Sequence, residues 1–287
     1  MPPTDGLWVW VWNWHNCEGG DASAVAARLN RAGARGAILK TADGNAWFDQ
    51  GAPAAAIAQR LRQAGTRCAT WQYCYGQDIA GEAQRAIETI TLCQPDFHVL
   101  DIEDEFASLP DPADAATRLV STIRQALPAA PLCYSPLPII RYHLRLPYRQ
   151  LTDAGCAMLP QLYWTALRWS PQDTVQVFYA DAQTYELLQN PVAPAYQDAP
   201  GARPTAAELQ TFLDLVLARG ARGISVWSYE HLDEDGWQRA AQVARALSTA
   251  EQTSDPCSTL REQIAAVAAE RDRLAAMLAQ IRALLAS

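Results

Sequence analysis

The feature that most restricts how this chain can fold is a regular alternation of short β-rich runs with amphipathic helical stretches. The runs fall at 7–13, 36–41, 67–74, 97–103, 131–135, 157–164, 192–197 and 222–229. The stretches between them carry helix signals. DASAVAARLNRAGA (21–34) has Asp21 or Ser23 as an N-cap and Gly33 near its end, and PAAAIAQRLRQAG (53–65) opens on Pro53. ARGA (34–37), GTRC (65–68) and ARGI (221–224) each stand between a helix and a strand. Strand, helix and strand in repetition imply parallel strands joined by crossovers. Eight such units in about 245 residues predict a closed (β/α)8 TIM barrel, a fold typically of about 250 residues. The alternative is a doubly wound open sheet. It is disfavoured because no glycine-rich phosphate loop follows the first run. The connection at 138–154 is the least regular.

The pattern ends near residue 248, so the barrel is assigned to 1–248. Residues 249–258 read as a polar linker, and 259–287 as a coiled-coil helix. There Leu260, Val267, Leu274 and Ile281 recur every seven residues, and Ile264, Arg271, Leu278 and Leu285 form the second series. The expectation is self-association through 260–285. The alternative is a helix folded back on the barrel.

Composition narrows the function. Hydrophobic residues make up 49% and charged residues 19%, enough for a large core, and the net charge is -8 with no basic run. Phosphate recognition needs clustered Lys and Arg, so nucleic acid is excluded as a partner, and anionic membrane surfaces are disfavoured for the same reason. No run approaches the roughly 20 apolar residues of a membrane span. The N-terminus MPPTDGLWVWVW is not a Sec signal, so the reading is cytoplasmic synthesis with release by a phage-borne or other non-Sec route. Seven scattered cysteines without a CxxC pair predict free thiols in a reducing compartment. The four histidines have no zinc-ligand spacing, there is no GxSxG elbow and no Walker loop, and neither a metal nor a cofactor is expected. His98 reads as a core residue.

The segment FHVLDIEDEF (97–106) carries the chemistry. Residues two apart on a strand share a face, about 6.6 Å apart, so Asp101 and Glu103 are predicted to point together into the barrel mouth. Two such carboxylates can divide the work of glycoside hydrolysis or hold a divalent cation. Asp104 and Glu105 read as an acidic cap on the next helix. The other strand ends offer aromatics and amides: Trp12 and Asn13, Lys40, Trp71 and Tyr73, Tyr134, Gln161 with Tyr163 and Trp164, Gln197, and Trp227 with Tyr229 and Glu230. Flat rings with polar edges suit sugars, so these are the candidate substrate-binding residues, although any single tryptophan can equally fill the barrel. Asp43, Asp198 and Glu230 are the acids that could approach the pair.

LDIEDE at the fourth strand resembles the D-x-E signature of the family 25 glycoside hydrolases, lysozyme-like muramidases on an α/β barrel. PQLYW and GISVWSYEHL look like that family's aromatic strand ends, and the resemblance spans roughly 5–247. It implies that Glu103 is the general acid, and that Asp101 assists the substrate's acetamido group or stabilises developing positive charge. The substrate it implies is an amino-sugar or cell-wall glycan of the peptidoglycan type. The family also places an aspartate at the end of strand one, where this chain has Trp12 and Asn13. The alternative functions are a glycan-binding barrel without catalysis on an oligomeric stalk, and a structural component docked through its coiled coil.

Overall fold

A computed structural model of the chain describes residues 2–254. The coiled coil expected at 259–287 and residues 255–258 of the expected linker, Cys257 among them, therefore lie outside the described residues, while residues 249–254 of that linker are helical, the end of an element that runs Glu234–Ser254. The elements alternate as the sequence pattern predicts. They run β1 (Gly6–Val11), α1 (Ala22–Arg31), β2 (Gly36–Asp43), β3 (Ala46–Trp47), α2 (Ala54–Gln63), β4 (Arg67–Cys74), α3 (Ile79–Cys93) and β5 (His98–Ile102). Then come α4 (Asp104–Ala107), α5 (Pro112–Ala126), β6 (Leu132–Pro136), α6 (Tyr148–Asp153), β7 (Ala157–Met158) and α7 (Trp164–Leu167). The last are α8 (Pro171–Thr184), β8 (Ala195–Gln197), α9 (Ala206–Leu217), β9 (Gly223–Trp227) and α10 (Glu234–Ser254).

The strands lie in the order β7-β6-β5-β4-β2-β1-β9-β8, all parallel along that path, and β3 pairs antiparallel with β2. Isolated parallel bridges, Met158 with Val192 and Gln161 with Ala195, join the two ends of the path. The sheet thus curls into a ring with helices outside.

Side-chain alternation along each strand makes two cores. The inner core includes Trp8, Trp10, Ile38, Trp71, Phe97, Val99 and Cys133, with Tyr73 and Trp227 packed above it. Trp8 meets Phe97 edge-on at 4.7 Å, and Trp10 meets Trp71 at 5.5 Å. The outer core takes the alternate residues, such as Leu7, Val9, Leu39, Leu100 and Leu132, against helix residues Val25, Ile57, Leu119 and Phe212. Helix starts are capped by side chains: Asp21, one of the two candidates in the sequence, accepts from Ser23 and Ala24 N–H, and Asp111 and Ser170 accept from Asp114 and Asp173 N–H. At Gly65 the turn into β4 needs φ +81°, a conformation that side chains with a Cβ rarely adopt.

His98 is fully buried and bonded to Thr70 (2.9 Å), with burial pushing its pKa down to about 3, so it is a neutral core residue. Cys17, Cys68, Cys74, Cys93, Cys133 and Cys156 are free and buried. Two runs are shorter than expected. In the run at 157–164 the continuous strand is Ala157–Met158, before Pro160 removes a donor, and in the run at 192–197 it is Ala195–Gln197, after Pro194; the two runs meet each other at the isolated bridges.

Candidate active site at the barrel mouth

β5 delivers the carboxylates. Asp101 lies in register between Tyr73 of β4 and Ser135 of β6, on the inner face, and is 6% exposed. Glu103 follows the strand end and stands as the N-cap residue of α4. A single nitrogen spans the two: Gln161 Nε2 donates to Asp101 Oδ1 at 3.2 Å and to Glu103 Oε1 at 2.7 Å, and lies 3.4 Å from Ser135 Oγ. Gln161 is itself fixed by its own N–H to the Pro136 carbonyl (3.1 Å) and by its bridge to Ala195.

Burial raises both acids. Asp101 is held well above the carboxylate range by desolvation and then by the charge of Glu103; Ser135, Lys40 and Gln161 oppose this. Glu103 is raised by desolvation and by the charges of Glu105 and Asp104, against the Gln161 hydrogen bond. Two like charges sharing one donor in a largely buried site favour a state with one proton between them. Such a pair can give a proton and hold a negative charge in the same step.

The walls are aromatic. Trp71 donates its indole N–H to the Val11 carbonyl (3.1 Å), and Trp10 donates to Ser225 Oγ (2.9 Å). Trp227 lies 5.6 Å from Trp71 and 6.2 Å from Trp12, whose ring is 43% exposed. Tyr73 donates its hydroxyl to Glu105 Oε2. The phenol of Tyr163 is raised by burial and by the charges of Asp101 and Glu103. Lys40 faces inward, and Gln197, on the inner face of β8, has a buried Oε1 without a hydrogen-bond partner.

Other predicted site residues lie elsewhere. Tyr134 points into the outer core and bonds Thr152 (2.8 Å), because the register that turns Ser135 inward turns its neighbour outward. Trp164 starts α7 and packs on Tyr196 and Phe212. Tyr229 lies in a short turn beyond β9, packs edge-on against Trp237 and bonds Glu18. Glu230 binds backbone: its Oε1 accepts from Trp12 N–H (3.1 Å) and Asn13 N–H (2.9 Å), so Asn13 joins the loops after β1 and β9. None of the acids that could approach the pair does so freely. Asp198 is buried under Arg239 and Arg203, and Asp43 is bonded to Lys40 and Tyr75. Ser135 belongs to the site and was not among the predicted residues; its place two steps after the inner-core Cys133 was the available signal. Among the described residues no group of three or more His, Cys, Asp or Glu is placed to hold a metal ion.

No protein-family model matches the sequence, and no curated protein sequence matches it. Solved structures do match. The spore cortex-lytic enzyme SleL of Bacillus cereus superposes with a TM-score of 0.63 at 11% identity over 85% of this chain and 75% of that one. The GH18 chitinase ChiB of Flavobacterium johnsoniae gives 0.62 at 7% identity over 86% and 94%. A class V chitinase of Pseudomonas fluorescens gives 0.61 at 14% identity over 84% and 99%. At these identities the likeness establishes the barrel fold.

Proposed function

We propose that this chain is a glycoside hydrolase acting on a glycan of N-acetylated amino sugars. The observation that carries the reading is the Asp101–Glu103 pair, joined through Gln161 on the floor of an aromatic mouth at the C-terminal ends of barrel strands, where barrel enzymes place their chemistry. Glu103, the shallower acid, protonates the glycosidic oxygen. The substrate's own acetamido oxygen attacks C1 as the bond breaks, and Asp101 orients that amide and balances its developing positive charge. Water then attacks C1, giving its proton to Glu103. The solved neighbours support the class, being named as chitinases and cortex-lytic enzymes. Muramidase-type cleavage of peptidoglycan, the reading the family 25 resemblance brings, is one branch of the proposal; chitin-type cleavage is the other. Self-association through 260–285 rests on the seven-residue repeat alone.

Reducing-end release from N-acetylglucosamine oligomers and from peptidoglycan glycan strands tests the proposal. The wild type releases ends from one or both, and Glu103→Gln abolishes release while the thermal transition stays in place. A wild type that binds these glycans and releases nothing favours the second reading, a binding barrel without turnover. That reading draws on one observation: β1 ends in Trp12 and Asn13 rather than an acid.

A further inference from the structure

Lys40 is the single lysine in the 287-residue sequence; the other 22 basic side chains of the 23 are arginines. It is buried, 6% exposed, on the inner face toward the C-terminal end of β2, whereas the guanidinium of Arg67, over the Trp8 ring, belongs to the opposite end of the barrel, where β4 begins. Its ammonium is closely held. Nζ lies 4.3 Å from the centre of the Phe48 ring, 4.8 Å from that of Trp71, and 3.3 Å from Asp43 Oδ1. Phe48 comes from the segment after the β3 hairpin, whose N–H donates to the Thr41 carbonyl (3.0 Å). The backbone of Lys40 is pinned too, its carbonyl accepting from Gln50 Nε2 (3.0 Å). A compact ammonium beside two ring faces is a cation–π site, and the charge is held there as a point rather than spread over a planar fork.

The slot lies on the same inner face as the acids. β4 separates β2 from β5, and Lys40 pairs with Trp71 one inner-face step below the level at which Tyr73 pairs with Asp101. We propose that Lys40 is a positioning residue for the carboxylate pair: its fixed ammonium keeps one of Asp101 and Glu103 ionised at the floor of the mouth, where Asp101 is buried. This rests on the proposed glycosidase reading for its purpose, and on geometry for its existence. Burial favours two neutral acids, and a pair carrying two protons cannot balance the charge that develops on an acetamido group. The groups facing the pair from other elements do not supply a second cation. Ser135 and Gln161 offer neutral donors, Tyr73 and Tyr163 are phenols raised above their usual range, and Asp104 and Glu105 add negative charge to Glu103. Lys40 is the cation whose charge lowers Asp101. Asp43, 40% exposed, fixes the ammonium from the far side.

A lone lysine makes the test direct. Full-length protein labelled with 13Cε-lysine gives one side-chain resonance, followed from pH 3 to 9 in wild type, Asp43→Asn and Asp101→Asn. The expected result is a step that survives Asp43→Asn and is lost or displaced in Asp101→Asn. A resonance whose only step disappears with Asp43 overturns the proposal, leaving Lys40 as an ion-pair partner. Where turnover is measurable, Lys40→Met moves the acidic limb of kcat/KM upward by about one pH unit, as loss of a nearby opposite charge does, and Lys40→Arg returns part of the shift. A loss equal at every pH overturns it as well. If no glycan is cleaved, the functional reading falls, while the resonance still decides the role of Lys40.

Discussion

Tyr134 and Ser135 are neighbours in the chain and face opposite sides of the sheet. The tyrosine is in the outer core with Thr152, and the serine is under Asp101. Which aromatics reach the mouth is therefore a question of strand phase. Phase is legible where a strand is long: Trp8, Trp10, Trp71 and Tyr73 fall inward two by two. It fails where the strand stops early. Tyr229 lies in a turn after Trp227, and counting by twos across that break sends it to the wrong side; Trp164, six residues after the outward Met158, keeps the outward phase and packs in the outer core. Glu82 shows another limit of sequence at this scale. It lies on the amphipathic α3, yet its carboxylate is buried, accepting from Gly76 N–H (2.9 Å) and Tyr75 N–H (3.2 Å), and desolvation pushes its pKa up to about 7. A carboxyl raised on folding favours the native state below its usual pKa of 4.5, and this contribution is lost as pH rises through about 7. Glu82→Gln keeps the Oε1 acceptor and removes the titration. Its stability relative to wild type is expected to rise by about 3 kcal/mol between pH 4.5 and pH 8, read by urea unfolding across that range.

At the scale of elements, the alternation of periods was enough to locate all eight ring strands and the main helices. The missing element is the β3 hairpin, and its signal was present. Asp43-Gly44 is a turn dipeptide, and Gly44 takes φ +58° in the turn that lets Ala42 pair with Trp47. That hairpin leads into Phe48 and so shapes the slot around Lys40. Contacts between distant elements were not legible, because they depend on register far along the chain. Arg239 of α10 reaches Asp198 at the end of β8 through two hydrogen bonds, 2.7 and 2.9 Å, and Asp198 is fully buried. Removing Arg239 leaves the buried Asp198 charge to Arg203 alone, at the longer distance of 3.4 Å. Arg239→Met is expected to cost about 3 kcal/mol in chemical unfolding, more than an exposed pair such as Arg118–Asp114, whose loss costs under about 1 kcal/mol.

For the whole molecule, a closed ring removes the sheet edges that would otherwise invite strand addition from another chain. The ring is not fastened evenly. β4 and β5 share five residue pairs in continuous register, whereas the path closes between β7 and β8 through two isolated bridges, Met158 with Val192 and Gln161 with Ala195. At that closure the backbone bonds are Met158 N–H to the Pro191 carbonyl (2.9 Å), Ala193 N–H to the Met158 carbonyl and Ala195 N–H to the Pro160 carbonyl (both 2.8 Å). Protection against hydrogen exchange follows how much structure must open, so the amides of Ala193 and Ala195 are expected to exchange at least tenfold faster than those of Val99 and Leu100, measured by deuterium uptake. The residue at this loosest seam is Gln161, whose side chain holds both carboxylates. Each time the seam parts, the acids lose their shared donor. Breathing of the barrel and protonation of the pair then become two readings of one local equilibrium, and a ligand that grips the pair would stiffen the ring.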